Sequence, residues 1–363
     1  MELLNDLGGY QAAFGAQDIS SPAMKRAVGK WFGLYYDRED LMQLPYTIVR
    51  KVVQSVFAEE RAEGLECWPG RSALELALIG GECYLKPVWV DGAWNWRPIP
   101  RGSILVFARD WHGEPTDVGL MEKTLSGRHY YTLLERRCLD GDGILTVTNR
   151  LYRSQSPGAL GREVKLSEQP LYAGLPERYT YPLPLGGVGL VRLKLPMANC
   201  IDGSREGVSI YAPATELIAA IAENENQLRG EFRRGQSRLV VSRDMLRGGQ
   251  LADDMFVALD ESPESVGITV FSPELRQSSF LERQQAYLRT MENIIGLKRG
   301  LLSQVEAVSR TATEITSSEG EYMTLILDLR RCVEEAAVKC AALLDELDGG
   351  KREVRFDWGD NIV

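Results

Sequence analysis

Asp140 and Asp142 have the spacing of the first two ligands of a calcium-binding loop. Such a loop also needs oxygen ligands at its fifth and twelfth positions, where this chain has Ile144 and Leu151. The run Asp140-Gly141-Asp142-Gly143 instead separates two stretches of alternating apolar residues, which is typical of a β-hairpin. The sequence therefore predicts a turn. Convergence of paired carboxylates in a cleft, as glycosidase chemistry requires, remains an open alternative at this level.

Motifs for nucleotide, nucleophilic and zinc chemistry are otherwise absent from the sequence. The run Gly186-Gly187-Val188-Gly189 lacks the Gly-Lys-Ser/Thr of a P-loop and opens a strand rather than a helix, so no phosphate cradle is expected. Only two histidines occur, His112 and His129, and no G-x-S-x-G or H-E-x-x-H pattern is present. The tryptophans at 89, 94 and 96 are interpreted as a strand's packing face. We expect no enzyme activity, no cofactor and no metal site.

Charge is unevenly distributed along the chain. Nine acidic residues accompany three basic ones between Thr311 and Asp348, whereas two acidic residues accompany a group of six arginines, Arg229, Arg233, Arg234, Arg238, Arg243 and Arg247. The arginines form either a functional basic patch or solvated ion pairs near a helix C-terminus, and the sequence leaves both readings open. The overall charge of −9 and pI near 5.1 disfavour a protein that coats nucleic acid.

The length of 363 residues predicts two or three structural units rather than one core. The N-terminus has no basic segment followed by an apolar one, and no run of about 18 apolar residues exists, so we expect neither a secretory signal nor a membrane span. Six scattered cysteines without a C-x-x-C pair indicate reduced thiols and assembly in a cytoplasm.

Periodicity predicts an α+β fold. Residues 45–60 have helical spacing, and residues 83–196 alternate with period two. Hairpin turns are expected at Asp91-Gly92 and 140–143, loops over 154–185 and a further strand over 188–195. A helix opens at Pro213, an excursion with a short β-like piece at 238–241 and an apolar stretch at 255–259 follows, and a second helix begins at Ser272-Pro273. A loop over 296–310 leads to a long helix that begins with a capping box at Thr311, bends at Gly320 and has an apolar seam with three-and-four spacing over 326–347.

Several short runs follow one another in this second half with a distinctive spacing. They are Gly207-Val208-Ser209-Ile210-Tyr211, Glu231-Phe232-Arg233-Arg234-Gly235, Phe271-Ser272-Pro273-Glu274-Leu275-Arg276, Gly296-Leu297-Lys298-Arg299-Gly300, and Arg310 before Thr311-Ala312-Thr313-Glu314-Ile315. Together they cover roughly residues 207–344, and the pattern resembles the portal (connector) proteins of tailed double-stranded-DNA bacteriophages, particularly those with long non-contractile tails. Each run on its own is weak evidence for this family, and the N-terminal part of the chain matches the family pattern more loosely.

The resemblance implies a ring-forming, portal-like α+β fold. Its parts would be N-terminal helices and a β-rich wing (1–212), a stem helix (213–235), a clip (236–271), a second stem helix (272–295), a tunnel loop (296–310), a bent wing helix (311–349) and a C-terminal tail (350–363). It implies that Lys298, Arg299 and Arg310 face DNA in the channel. It assigns motor docking at the clip to Arg233, Arg234, Arg238, Arg243 and Arg247. Many family members continue with a helical crown beyond the point where this sequence ends.

The resemblance also implies partners and location. A ring of about twelve copies would sit at the portal vertex of the virion after assembly in the host bacterial cytoplasm, without a membrane. It would thread double-stranded DNA non-specifically and bind the terminase large subunit, head–tail adaptors, and the major capsid and scaffolding proteins. The ATPase would belong to the terminase. The alternatives are a head–tail adaptor or other phage ring component, in which a two-helix stem is unusual, and a hydrolase built on the β-rich unit.

Overall fold

The computed structural model describes the backbone of residues 7–65, 67–235, 238–242, 256–259, 268–271, 275–304 and 312–359, and the side chains of 9–65, 67–235, 275–304 and 320–359. It is a mixed α+β structure with several sheets, as predicted. The chain forms two units. The larger comprises Met1–Thr215, Ile295–Lys298 and Ser309–Val363, and the smaller comprises Glu216–Ile294 and Arg299–Val308.

Four helices open the larger unit: α1 (Leu7–Phe14), α2 (Pro22–Tyr36), α3 (Leu44–Val56) and α4 (Gly70–Gly80). Helix α3 confirms the predicted amphipathic helix, since Ile48, Val52 and Val56 are buried, but it ends four residues before the predicted end at Glu60. The chain turns there because the next residues form strand β1 (Arg61–Glu63), which pairs with the C-terminal strand β14 (Arg355–Asp357). Neither strand was expected from local periodicity.

A three-stranded antiparallel sheet has the order β10-β2-β3, formed by β2 (Glu82–Val90), β3 (Ala93–Pro100) and β10 (Val191–Lys194). The predicted hairpin between β2 and β3 is confirmed. Asp91 (φ +53°) and Gly92 (φ +83°) both have the left-handed backbone of a type I′ turn. The predicted strand near residues 188–195 is confirmed as β10.

A six-stranded sheet has the order β4-β5-β6-β7-β8, with β9 also paired to β7. Its strands are β4 (Ile104–Arg109), β5 (Pro115–Ser126), β6 (His129–Leu139), β7 (Leu145–Ser154), β8 (Arg162–Val164) and β9 (Arg178–Thr180). The predicted hairpin at 140–143 joins β6 to β7 and is confirmed. The prediction of loops alone over 154–185 is wrong for β8 and β9. These three-residue strands form because they pair with β7, and they are too short to show an alternating pattern in the sequence.

The elements of the smaller unit are α5 (Thr215–Arg234), β11 (Arg238–Ser242), β12 (Phe256–Leu259), β13 (Ile268–Phe271) and α6 (Gln277–Ile295). Helix α6 begins later than the predicted start at Ser272-Pro273. Leu275 and Arg276 are not helical, and residues 272–274 lie outside the described part of the chain. Pro213 lies in a short 3₁₀ turn that precedes α5.

The long helix α7 (Ala312–Asp348) returns to the larger unit, where it packs on α3, α4 and β10. Its predicted apolar seam is buried and includes Ile326, Leu329, Val333, Ala336, Cys340 and Leu343. The helix continues without interruption through Gly320. Thr311 lies outside the described residues, so the capping box stays a prediction. All six cysteines are free thiols, and none of the described helices is both long and apolar enough to cross a membrane.

Strand β2 carries buried charge. Lys86 Nζ lies 2.5 Å from Glu135 Oε2, and Arg137 Nε donates to Glu135 Oε1 at 2.6 Å. Burial alone would raise the pKa of Glu135, but Arg137 and Lys86 outweigh it and lower the pKa to about 2. The ionised carboxylate therefore stabilises the fold.

This pairing predicts a specific pH dependence. Because the folded-state pKa of Glu135 is below its ordinary value of 4.5, its contribution is complete above about pH 4.5 and is lost as the pH falls towards 2. We expect Glu135→Gln to lower the unfolding free energy at neutral pH by on the order of 3 kcal/mol. Denaturant titrations should show this difference shrinking between pH 4.5 and 2, and a difference that stays constant would contradict the assignment.

Candidate functional site

The helices α5 and α6 of the smaller unit run antiparallel. The order of their contacts shows this. Glu231, near the end of α5, contacts Arg276, which stands just before α6. Asn224 and Gln227 lie earlier in α5 and contact Arg283, which lies within α6. The two helices therefore run in opposite directions, and strands β11–β13 lie between them in the sequence.

Arg283 holds the middle of this helix pair. Its Nε donates to Asn224 Oδ1 at 2.6 Å and its Nη2 donates to Gln227 Oε1 at 2.8 Å, while its guanidinium lies over the Phe280 ring. Asn224 is buried and donates from Nδ2 to the Phe280 carbonyl at 3.1 Å. These directional bonds fix the register of the two helices.

Arg276 and Glu231 connect the two chain segments at the end of the helix pair that is nearest in sequence to strands β11–β13. The Arg276 Nε and Nη2 donate to the two carboxylate oxygens of Glu231 at 3.0 and 2.9 Å. This bidentate hydrogen bonding lowers the pKa of Glu231. Arg276 makes this contact from just outside the helix, which begins at the next residue, Gln277.

The inserted strands form a small mixed sheet of order β12-β11-β13. The central β11 pairs parallel with β12 and antiparallel with β13. Residues 243–255, which separate β11 from β12 in the sequence, lie outside the described residues. The sequence predicted a short β-like piece where β11 lies and an apolar stretch where β12 lies, and β13 was missed.

Of the arginines assigned to motor docking, Arg233 and Arg234 are exposed at the C-terminal end of α5. The Arg234 Nε donates to the Gly230 carbonyl at 3.2 Å, and positive charge is favoured at this helix end. Arg238 is the first residue of β11, but its side chain lies outside the described part. Arg243 and Arg247 also lie outside it, and the motor-docking role of all five arginines stays a prediction.

A buried carboxylate organises the turn that follows α6. Glu292 is fully buried and accepts the backbone N–H groups of Leu302 at 2.6 Å and Ser303 at 2.8 Å, together with the Ser303 hydroxyl at 2.8 Å and the Gly300 N–H at 3.1 Å. Gln285 Oε1 accepts the N–H of Gln304 at 2.7 Å. Residues 300–304 are thus tied back to α6 by its own side chains.

The residues assigned to the DNA-facing loop stand in this turn. Lys298 and Arg299 are exposed and are flanked by Gly296 (φ +79°) and Gly300 (φ +88°), whose left-handed backbones suit glycine. Arg310 lies outside the described residues. Lys298 and Arg299 are adjacent in the sequence, and a DNA-facing role for Lys298, Arg299 and Arg310 stays a prediction.

The remaining motifs belong to the larger unit. Asp140 and Asp142 lie in an exposed turn, where Asp140 Oδ1 accepts the N–H groups of Asp142 and Ile144, so they do not converge across a cleft. Trp96 is buried, whereas Trp89 is 60% exposed and packs edge-to-face on Trp94, whose Nε1 donates to Asp348. Within the described residues no group of three or more His, Cys, Asp or Glu side chains is placed to hold a metal.

Sequence reasoning missed the anchoring role of Glu292 and the cluster around Arg283. In the sequence, Glu292 is one acidic residue in an ordinary polar helix pattern. Its partners are backbone N–H groups, which every residue type supplies, so the sequence does not identify them. For Arg276 and Glu231 a signal existed, because both stand in runs that carry the portal resemblance, but sequence alone did not pair them. No protein-family model and no curated protein matches this chain.

Proposed function

We propose that this chain is the subunit of a phage portal, a ring at the capsid vertex through which double-stranded DNA is packaged and ejected. It would act without catalysis, and the docked terminase large subunit would supply the ATPase. Head–tail adaptors and the major capsid and scaffolding proteins would be its other partners. The proposed location is the virion, after assembly in the host bacterial cytoplasm.

One observation carries the proposal: the elements from α5 to the turn after α6 follow one another in the order that a stem, a clip and a tunnel loop would require. An antiparallel helix pair with a fixed register suits a stem, and a small sheet inserted at the turn of that pair suits a clip. The glycine-flanked turn of Lys298 and Arg299, anchored by Glu292, suits a tunnel loop, and the 37-residue helix α7 suits the wing.

Charge and side-chain size support the same proposal. A net-acidic wall with a few exposed basic groups would suit DNA that has to slide, because contacts of its phosphates with Lys298 and Arg299 would be brief. On α5, Ala219 is exposed and Ala220 and Ala222 are half-buried. Small side chains of this kind permit close packing against a neighbouring helix in a head-to-tail ring.

The docking role is tested by reversing two charges. We expect Arg233→Glu with Arg234→Glu to reduce DNA packaging at least about tenfold, because opposed charges at an interface weaken docking, while native mass spectrometry still shows the closed oligomer. The matched control is Arg178→Glu with Arg331→Glu, two exposed arginines of the larger unit. Packaging that is equal in both double variants would contradict the docking role, and loss of the oligomer would place Arg233 and Arg234 in a subunit interface.

A further inference from the structure

A cavity of about 320 Å³ in the larger unit gathers basic side chains from separate parts of the chain. Strand β10 contributes Arg192 and Lys194, and helix α7 contributes Lys339. Two loops add Arg205 and His112. The acidic groups of its lining are Glu114 and Glu335, so the cavity is net positive in a chain whose overall charge is −9.

The cations of this cavity differ in how far they are neutralised. Arg192 already forms ion pairs, since its Nε lies 3.4 Å from the Glu82 carboxylate and its Nη1 lies 3.6 Å from the Glu114 carboxylate. Among the described residues, the Arg205 side chain donates only to backbone, at the Trp111 carbonyl 3.0 Å away. The side-chain ammonium groups of Lys194 and Lys339 make neither a hydrogen bond nor an ion pair with any described residue. By contrast, Arg101, Arg136 and Lys86 of the same unit all contact carboxylates.

The net effect of its surroundings disfavours the charged form of Lys194. Burial, and then the positive charge of Arg192, lower the pKa of the Lys194 ammonium, and the opposing effects of Glu82 and Glu114 do not outweigh them. A bound anion would offset both effects, because it adds opposite charge beside the two side chains.

A second cavity of about 300 Å³ adjoins the first, since both are lined by Glu114, Arg192 and Lys339. The glycine-rich run 186–189 forms one wall, and apolar side chains that include Tyr84, Leu190 and Leu343 form the others. The Gly186 N–H donates to the Glu346 carboxylate at 3.1 Å, so this loop already binds one anionic group of the chain itself.

We propose that the cavity between β10 and α7 binds a phosphate group, held by Lys194, Lys339 and Arg205, with the adjoining apolar cavity available to the group that the phosphate carries. Cations that approach from a strand, a helix and a loop suit a tetrahedral polyanion better than a single planar carboxylate. The phosphate belongs either to a free nucleotide or to a nucleic-acid backbone. This proposal does not depend on the portal assignment.

The test is isothermal titration calorimetry of the full chain with pyrophosphate, ADP and a short DNA duplex. We expect Lys194→Gln with Lys339→Gln to weaken binding of the active probe at least about tenfold, because charge-assisted hydrogen bonds are lost. The matched control is Lys165→Gln with Lys351→Gln, two exposed lysines outside the cavity, which should bind as the unmodified chain does. Since Lys339 is exposed, Lys339→Gln alone serves if the double variant unfolds.

The arms of the experiment separate the two sources of phosphate. Lysine-dependent binding of pyrophosphate and ADP without duplex binding identifies a free nucleotide or phosphate, and lysine-dependent duplex binding identifies a nucleic-acid backbone. Either result supports the site. The proposal is overturned if no probe binds at millimolar concentration, or if the cavity variant and the control variant bind equally.

Discussion

Glu82→Gln is expected to lower the free energy of unfolding by about 3–5 kcal/mol, because it removes the buried carboxylate that two guanidinium groups share. Glu82 is fully buried, with Arg101 Nε 3.1 Å from Oε1 and Arg192 Nε 3.4 Å from Oε2. Burial alone would raise the pKa of Glu82, but Arg101, Arg192, Arg109 and the Gly207 N–H outweigh it and lower the pKa. Urea denaturation at neutral pH measures the change.

The matched control for this substitution is Glu353→Gln. Glu353 pairs with Arg355 at 2.9 Å, but both side chains are more than 70% exposed. Solvent screens such a pair, so its loss should change the unfolding free energy by no more than about 0.5 kcal/mol. Equal effects of the two substitutions would show that the buried cluster around Glu82 contributes no more than a surface contact does.

Glu292→Ala is expected to cost about 3 kcal/mol and to release the turn that follows α6. The carboxylate accepts hydrogen bonds from Gly300, Leu302 and Ser303, and its removal leaves buried N–H donors without a partner. Thermal denaturation gives the cost. Amide hydrogen exchange gives the local effect, which should be faster exchange at residues 300–303.

Two neighbouring substitutions calibrate this result. Asn293→Ala changes an exposed side chain on the same turn of α6 and should leave stability within about 0.5 kcal/mol. Ser303→Ala removes one of the hydrogen bonds and should cost about 1 kcal/mol. Amides of residues 300–303 that keep their protection in Glu292→Ala would contradict the anchoring role.

Local signals in the sequence predicted those parts of the fold that local chemistry determines. The turns at Asp91-Gly92 and at 140–143 follow from residues that tolerate left-handed backbone, and the seam of α7 follows from its three-and-four spacing. Pairing between distant segments was not predictable in this way. Strands β1 and β14 exist because each supplies the other's hydrogen bonds, and neither has a strong pattern of its own.

The same distinction applies to the candidate site. The basic residues Arg233, Arg234, Lys298 and Arg299 are visible in the sequence because like charges are adjacent. The groups that position the turn and the helices, Glu292 and Arg283, are single polar residues whose partners come from elsewhere in the fold. Their roles depend on distances that the sequence does not contain.

Electron cryo-microscopy of the purified chain tests the proposed function most directly. The expected result is a closed ring with a central hole roughly 20 Å wide or more, enough for duplex DNA, and with the α5–α6 helix pair lining it. A monodisperse monomer, or a ring whose opening is lined by the β-sheets of the larger unit, would contradict the portal assignment.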